Sequence, residues 1–193
     1  MKTHIIRLIT LCVLLLTLAT SVQGENPVRP NALKITFLSW GTGSTKLSYE
    51  RALPERQQSA EICASIIGAG WDGYHNSPLG MTLRYGHKFF LGNYSPSRPL
   101  DGFFVRPEAI YCHYGYDSAS DGTRQISQMG ALLATAGYQR AFGRWLVDGW
   151  VGGGYAIGRA ADTGYQHGFK AIALPGNAGY LALSFSIRVG LCF

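Results

Sequence analysis

The sequence has few charged residues, few cysteines and, after its first 24 residues, no long apolar run. Only 15% of its 193 residues are charged, four are cysteine, and the lysines and arginines are scattered without a basic block. Scattered positive charge argues against a nucleic-acid surface. Because no later stretch has about 18 or more apolar residues free of charge, no transmembrane helix is expected beyond the amino terminus.

The amino terminus has the pattern of a secretory signal peptide. In MKTHIIRLITLCVLLLTLATSVQG, Lys2 and Arg7 precede an apolar run that ends at Leu18, and small or polar residues follow. This order is typical of a cleaved export signal, and the run is short for a membrane anchor. We therefore predict a signal peptide over residues 1–24 and an exported domain over residues 25–193, with cleavage before Glu25 or alternatively before Val22.

Apolar residues recur at every second position in eight segments. In the last of them, every second residue from Leu181 to Phe193 is apolar. Such alternation predicts strands with one apolar and one polar face. The eight segments are residues 32–40, 44–53, 59–71, 80–91, 102–116, 128–142, 144–159 and 179–193. They predict an all-β fold, in which Pro107 indicates a bulge.

The charged residues of these segments share the polar face. They are Lys34, Glu50, Glu61, Arg84, Lys88, Arg106, Glu108, Asp148 and Arg188. In a soluble β-sandwich, which stays open as an alternative, this face is solvated. Three features favour a membrane barrel instead: long strands, aromatic residues near strand ends, and glycines on the polar face that leave room inside a narrow interior. We predict an eight-stranded antiparallel up-and-down transmembrane β-barrel in the cell outer membrane.

The first, second and eighth strands are neighbours in such a barrel, and they carry Lys34, Glu50 and Arg188. A charge held away from water needs a partner. We predict that these residues, with Glu61 and Asp148, form a charge cluster that plugs the lumen. The alternative is separate solvation by lumen water.

The connections after the first, third, fifth and seventh strands are expected to face outward. Most of them are longer than the intervening turns, as in outer-membrane barrels. Their aromatic and basic residues are candidates for binding an unidentified surface ligand or partner, although a solvated loop is the more ordinary explanation of any single one of them. These residues are Tyr74, His75, Arg124, Tyr165, His167, Phe169 and Lys170.

Three cysteines follow the predicted signal: Cys63, Cys112 and Cys192. All three have the phase of the polar, inward face, and none lies on a strand next to another in the predicted order. We expect free thiols rather than disulfides. No Cys/His spacing fits zinc, and no metal or cofactor is expected.

Two motifs bear on catalysis. His75 and Ser77 resemble the His-x-Ser spacing of barrel enzymes that deacylate lipid A, but Asp72 is the only nearby carboxylate. The glycine-rich run from Gly152 to Gly158 lies within a strand pattern and opens no helix, so phosphate binding is not expected. We predict that the protein is not an enzyme.

The segments KITFLSWGTGSTKLSYERAL, GFFVRPEAIYCHYGYD and AGYQRAFGRWLVDGWVGGGYAIG resemble a family of small Gram-negative outer-membrane barrels of unknown function, common in gut anaerobes. The most specific pieces are Tyr-Glu-Arg at residues 49–51 and Gly-Tyr-Gln at residues 137–139. The resemblance covers most of the exported domain. It implies an eight-stranded barrel related in architecture to the OmpA membrane domain, and it implies no catalytic residues.

The last residue, Phe193, resembles the carboxyl-terminal signal that outer-membrane assembly machinery reads. The expected partners are therefore that machinery and outer-membrane lipid, and nucleic acid is not expected. The expected role is structural or surface-interactive, with a small-solute pore and a lipid-modifying enzyme as alternatives.

Overall fold

The computed structural model describes residues 28–53, 56–73, 75–92, 95, 97–176 and 179–193. The predicted signal peptide lies outside these residues. The strands are β1 (Asn31–Ile35), β2 (Ser44–Leu53), β3 (Gln58–Ile67), β4 (Leu79–Leu91), β5 (Gly102–Asp117), β6 (Arg124–Phe142), β7 (Trp145–Arg159), β8 (Lys170–Ala173) and β9 (Gly179–Cys192), and one short helix, α1 (Phe37–Trp40), follows β1. Within the described ranges, no helix is both long and apolar enough to cross a membrane.

The strands form one antiparallel sheet that closes into a ring. Strands β1 to β7 pair in chain order, β7 pairs with β9, and β9 pairs back to β1. The all-β prediction is confirmed, and each of the eight predicted segments contains a strand. The short strand β8 was not predicted. It pairs with the first part of β9, so β1 and β8 share one position in the ring.

The first strand is shorter than predicted. It stops at Ile35, and the chain then turns through α1, where the adjacent residues Phe37 and Leu38 are both exposed. In a strand, adjacent side chains point to opposite faces, so two consecutive exposed apolar residues do not fit a continued β1. The Ser39 hydroxyl donates to the Thr36 carbonyl at 2.7 Å, which supports the turn into the helix.

Connections alternate between the two ends of the ring. The end that carries α1 and residues 68–73, 75–78, 118–123 and 160–169 is called the loop end, and the opposite end is called the turn end. At the turn end, β6 and β7 are joined by only Gly143 and Arg144. Gly143 has a φ of 62°, a conformation that glycine adopts without strain.

Pro107 causes no bulge, contrary to expectation. On the β4 side, Gly86 pairs with Glu108 and Phe89 with Val105, so the register is the same before and after Pro107. The ladder lacks the two pairs between them because proline has no N–H to donate. No residue is inserted.

The interior of the ring is layered. An apolar cluster that includes Ile110, Tyr114 and Phe169 fills the loop end. A second apolar cluster, with Leu100 and Phe104, fills the turn end. Charged side chains occupy the layer between them, and all nine charged residues predicted for the polar face are buried.

Candidate functional site

The nine buried charged residues form the charge network, and Lys34 lies at its centre. The Lys34 Nζ atom lies 2.5 Å from Glu50 and 2.9 Å from Asp148, and it also donates to Glu61. Lys88 reaches the same carboxylates from β4, at 3.0 Å from both Glu50 and Asp148. Two ammonium groups thus contact three carboxylates on three different strands.

Two arginines extend the network. Arg188 donates to both oxygens of Asp148, at 2.8 and 2.6 Å, and to both oxygens of Glu61. Arg106 lies 3.3 Å from Glu61 and 2.6 Å from Glu108. Forked contacts of this kind are the strongest ion pairs that side chains form. They tie β3, β5, β7 and β9 to one another across the interior.

Trp150 provides a surface on which guanidinium groups stack. The Cζ atoms of Arg188, Arg106 and Arg84 lie 4.3, 4.5 and 5.6 Å from the centre of its ring. Cation–π attraction is strongest when the cation is removed from water, as it is here. The indole therefore holds the arginines of the network in place.

The register of the strands explains why the charged residues of the network contact one another. Glu50 and Glu61 are directly opposite on β2 and β3, and Asp148 is opposite Arg188 on β7 and β9. Like charges in opposite positions repel, so the carboxylate pair requires the cations between them. Gly190 lies opposite Lys34, where a Cβ atom would come within 2.5 Å of the Lys34 Cγ. The inward glycine leaves room for the lysine, as predicted.

Glu50, Glu61 and Asp148 have carboxylate oxygens within 4.8 Å of one another, a spacing that suits a metal ion. Their shared centre is instead occupied by the Lys34 and Lys88 ammonium groups. Because each carboxylate is committed to two or more cations, the arrangement suits holding strands together rather than acid–base chemistry.

The structure brings together all five residues predicted to cluster: Lys34, Glu50, Glu61, Asp148 and Arg188. It adds four that were not included: Arg84, Lys88, Arg106 and Glu108. The signal for these four was available, since they have the same phase on their strands. Their membership was missed because contacts such as Lys88 with Asp148 and Arg106 with Glu61 join strands that are not neighbours and form only across the closed interior.

The connection between β7 and β8 folds back into the ring. Residues Gln166 to Phe169, called the plug segment, are held by several interior side chains. Ser127 donates to the Gln166 side chain at 2.6 Å, and Arg84 donates to the Gly168 carbonyl at 2.8 Å. The plug segment therefore closes the loop end of the interior.

The expectation that His167 and Phe169 are exposed on an outer loop is wrong. Only 3% of His167 and 2% of Phe169 is exposed, because the plug segment packs against the apolar cluster of the loop end. Tyr165 is half-buried, and its hydroxyl lies 2.9 Å from the Thr42 hydroxyl. These residues stabilise the interior rather than present a surface.

The remaining loop candidates differ in their surroundings. Arg124 is exposed and pairs with Asp117 at 2.9 Å, and Lys170 is exposed at the start of β8. His75 is exposed, while Tyr74 lies outside the described residues. No hydrogen bond joins His75 to the Ser77 side chain in the described part of the chain; the Ser77 backbone N–H donates to Asp72 at 2.8 Å.

The structure also shows the surroundings of the three cysteines and of the last residue. Cys63, Cys112 and Cys192 are buried and free, as predicted. Phe193 is exposed, and its backbone N–H donates to the Asn31 carbonyl at 2.9 Å. Its side chain faces away from the ring, and its role in assembly stays a prediction.

His167 predicts a pH dependence of stability. Burial, assisted by the nearby charge of Lys46 and opposed by that of Asp72, lowers the pKa of His167 from 6.5 to about 4. Between these values the unfolded chain binds a proton that the folded chain does not, so stability is present above pH 6.5 and falls as the pH falls toward 4. We expect the free energy of unfolding to drop by about 2–3 kcal/mol between pH 7.5 and pH 4.

Urea titrations at several pH values measure this loss. The variant His167→Gln should flatten the dependence over this window. The variant His75→Gln is the matched control, because its ring is exposed, and it should retain the wild-type curve. Equal slopes in wild type and His167→Gln would show that the plug histidine is not the group that titrates.

Comparisons of the chain with protein-family models, with curated proteins and with solved structures found no match.

Proposed function

We propose that this chain is an outer-membrane protein that crosses the bilayer as an eight-stranded up-and-down β-barrel, with a structural or surface-interaction role. One observation carries the proposal: the ring is apolar outside and charged inside. Side chains on its exterior face include exposed Leu47, Ile62, Leu83, Val105, Leu132, Val151 and Phe185. A soluble β-sandwich has the opposite arrangement, with its apolar faces buried against each other.

The position of exterior charges supports a lipid environment. On β1 to β7 and β9, the charged side chains of the exterior face are Arg51, Asp117, Arg124, Arg140 and Arg159, and each lies within three residues of a strand end. The middle of these strands is therefore uncharged on the exterior face, and one further exterior charge, Lys170, begins the short strand β8. Strands of about 9–11 tilted residues span the hydrocarbon of a bilayer, and β2 to β7 and β9 all have 10 or more.

Exposed aromatic residues lie near both ends of the ring. Phe103 and Tyr138 contact each other near the turn end, with ring centres 4.7 Å apart. Trp40 and Trp71 are exposed at the loop end. Aromatic residues favour the two interfaces of a membrane, where the ring is apolar and its edge meets water.

A plugged interior fits this role better than a pore. The charge network lies between two apolar clusters, and the plug segment covers one of them. A conducting pore needs a continuous wet path, whereas buried ion pairs of this density exclude water. A lipid-modifying enzyme is less well supported, because His75 and Ser77 do not contact each other through their side chains.

Export and assembly belong to the same proposal. Residues 1–24 would direct export, outer-membrane lipid would surround the ring, and assembly machinery would read the strand that ends at Phe193. The proposed location is the cell outer membrane.

Cell fractionation combined with gel migration tests the proposal. We expect the protein in the outer-membrane fraction, resistant to extraction by urea, and with faster migration in unheated than in heated detergent samples. Recovery as a soluble periplasmic protein, with one migration position, would refute it.

A further inference from the structure

The wall of the ring has a window beside β9. On the edge of β9 that faces β1 and β8, residues Leu181 and Leu183 are among those paired with β8, and Val189 to Cys192 pair with β1. Between them, residues 184–188 have no strand partner on that edge in the described structure. The window exists because β1 ends at Ile35 and the chain continues as α1, which lies near β9 without pairing to it.

A cavity of about 370 Å³ lies at this window. Its lining includes exterior residues of the wall, Leu38, Leu183 and Phe185, and interior residues, Lys46, Cys63 and Trp150. Side chains from both faces of β9 line it, so the cavity passes from the outside of the ring to the inside. Its volume is near the lower limit of about 300–1,000 Å³ for ligand pockets.

The lining of the cavity carries four cationic side chains. They are Lys46, Arg84, Lys170 and Arg188, and no aspartate or glutamate of the described residues lines the cavity. Arg84 and Arg188 are paired within the charge network, but Lys46 makes no hydrogen bond or ion pair with any described residue. With a protonated Lys46 counted, the inward-facing charges number six positive and four negative, an excess that a bound anion would reduce.

Trp150 supplies a second unsatisfied group. Only 7% of this residue is exposed, and its indole N–H has no hydrogen-bond partner among the described residues. A buried donor without a partner is uncommon and is typically satisfied by a ligand or water. The cavity thus offers a free ammonium group and a free N–H, next to apolar side chains that face outward.

We propose that this window binds a membrane amphiphile with an anionic headgroup, a carboxylate or phosphate, that enters sideways from the lipid. The headgroup contacts Lys46 and the Trp150 N–H, and the chain passes out against Leu38, Leu183 and Phe185. The volume accommodates the headgroup and the first carbons of one chain rather than a whole lipid. This inference rests on the proposed membrane location, because only then does the window open onto lipid.

Photo-crosslinking tests the inference on the full-length protein in uncharged lipid nanodiscs. The probe is dodecanoate with a diazirine on a carbon near the carboxylate. We expect adducts on the interior residues Cys63, Trp150 and Ser186, which lipid around the ring does not reach, and we expect excess unlabelled dodecanoate to suppress them. Labelling confined to Leu183 and Phe185 would overturn the inference.

Two variants test the contact with Lys46, and two further ligands test which features of the amphiphile are required. Lys46→Gln should lower interior labelling at least about tenfold, the effect of losing one charged hydrogen bond. Arg51→Gln, an exposed position on the same strand, should leave it unchanged. Equal interior labelling by the corresponding dodecanol probe would contradict the claim that the headgroup must be anionic. Suppression by inorganic phosphate as strong as that by dodecanoate would contradict the claim that the ligand is an amphiphile.

Heat-modifiable migration of each sample separates the two proposals. A protein that migrates as folded and inserted but shows no interior labelling refutes the binding site alone. A protein that does not insert refutes both the site and the membrane location.

Discussion

Replacing Glu61 with glutamine is expected to lower the free energy of unfolding by about 3–5 kcal/mol. The Glu61 carboxylate accepts hydrogen bonds from Lys34, Arg106 and Arg188, all of them buried. The neutral amide keeps the size of the side chain but leaves these cations with less negative charge than they need. Urea titration of the folded protein, followed by gel migration or tryptophan fluorescence, measures the loss.

The matched control is Asp117→Asn. Asp117 also pairs with an arginine, Arg124 at 2.9 Å, but 40% of the Asp117 side chain and 46% of the Arg124 side chain is exposed. An exposed pair contributes about 0–1 kcal/mol. If the free energy of unfolding falls by the same small amount in both variants, the interior charges are solvated separately, and the network does not hold the strands together.

Replacing Leu132 with arginine should cost about 2–4 kcal/mol, the price of arginine at the middle of a bilayer. Leu132 lies near the middle of β6, and 71% of it is exposed. On a surface that faces water, this substitution is neutral, because arginine is well solvated there. The measurement is the free energy of unfolding from lipid vesicles.

The control for this substitution is an exposed residue at the end of the same strand. Phe142 is also exposed but is the last residue of β6, where the proposed membrane location places the boundary with water. Phe142→Arg should cost only about 0–1 kcal/mol. A wall that tolerates arginine equally well at both positions would contradict contact with lipid.

The strands were predictable from the sequence because the alternation of apolar and polar residues is a local signal. The face of each residue follows from its phase, so nine of the ten inward-facing charged residues are predicted as one set from the sequence; Lys46, on the inward face of β2, is the one that was missed. Contacts such as that between Lys88 and Asp148 join β4 to β7. They depend on how the ring closes and on its diameter, which no local pattern specifies.

The loop end was the least predictable part. The plug segment is polar in sequence, and its burial depends on partners far along the chain, such as Ser127 and Arg84. Phe169 and Ala171 were the available signal, since both are apolar within a long connection and both are buried. The window beside β9 arises from the early end of β1 and the position of β8, which are tertiary features.

The central claim is that the exterior face of the ring contacts lipid. Two adjacent residues of β6 test it directly, without any substitution. Leu132 is 71% exposed and Leu133 is 5% exposed, on opposite faces of β6. Nuclear magnetic resonance of the protein in lipid nanodiscs should show magnetisation transfer from lipid acyl chains to the Leu132 methyl groups and none to those of Leu133. Transfer from water, rather than from acyl chains, to the Leu132 methyl groups would contradict a wall that faces lipid.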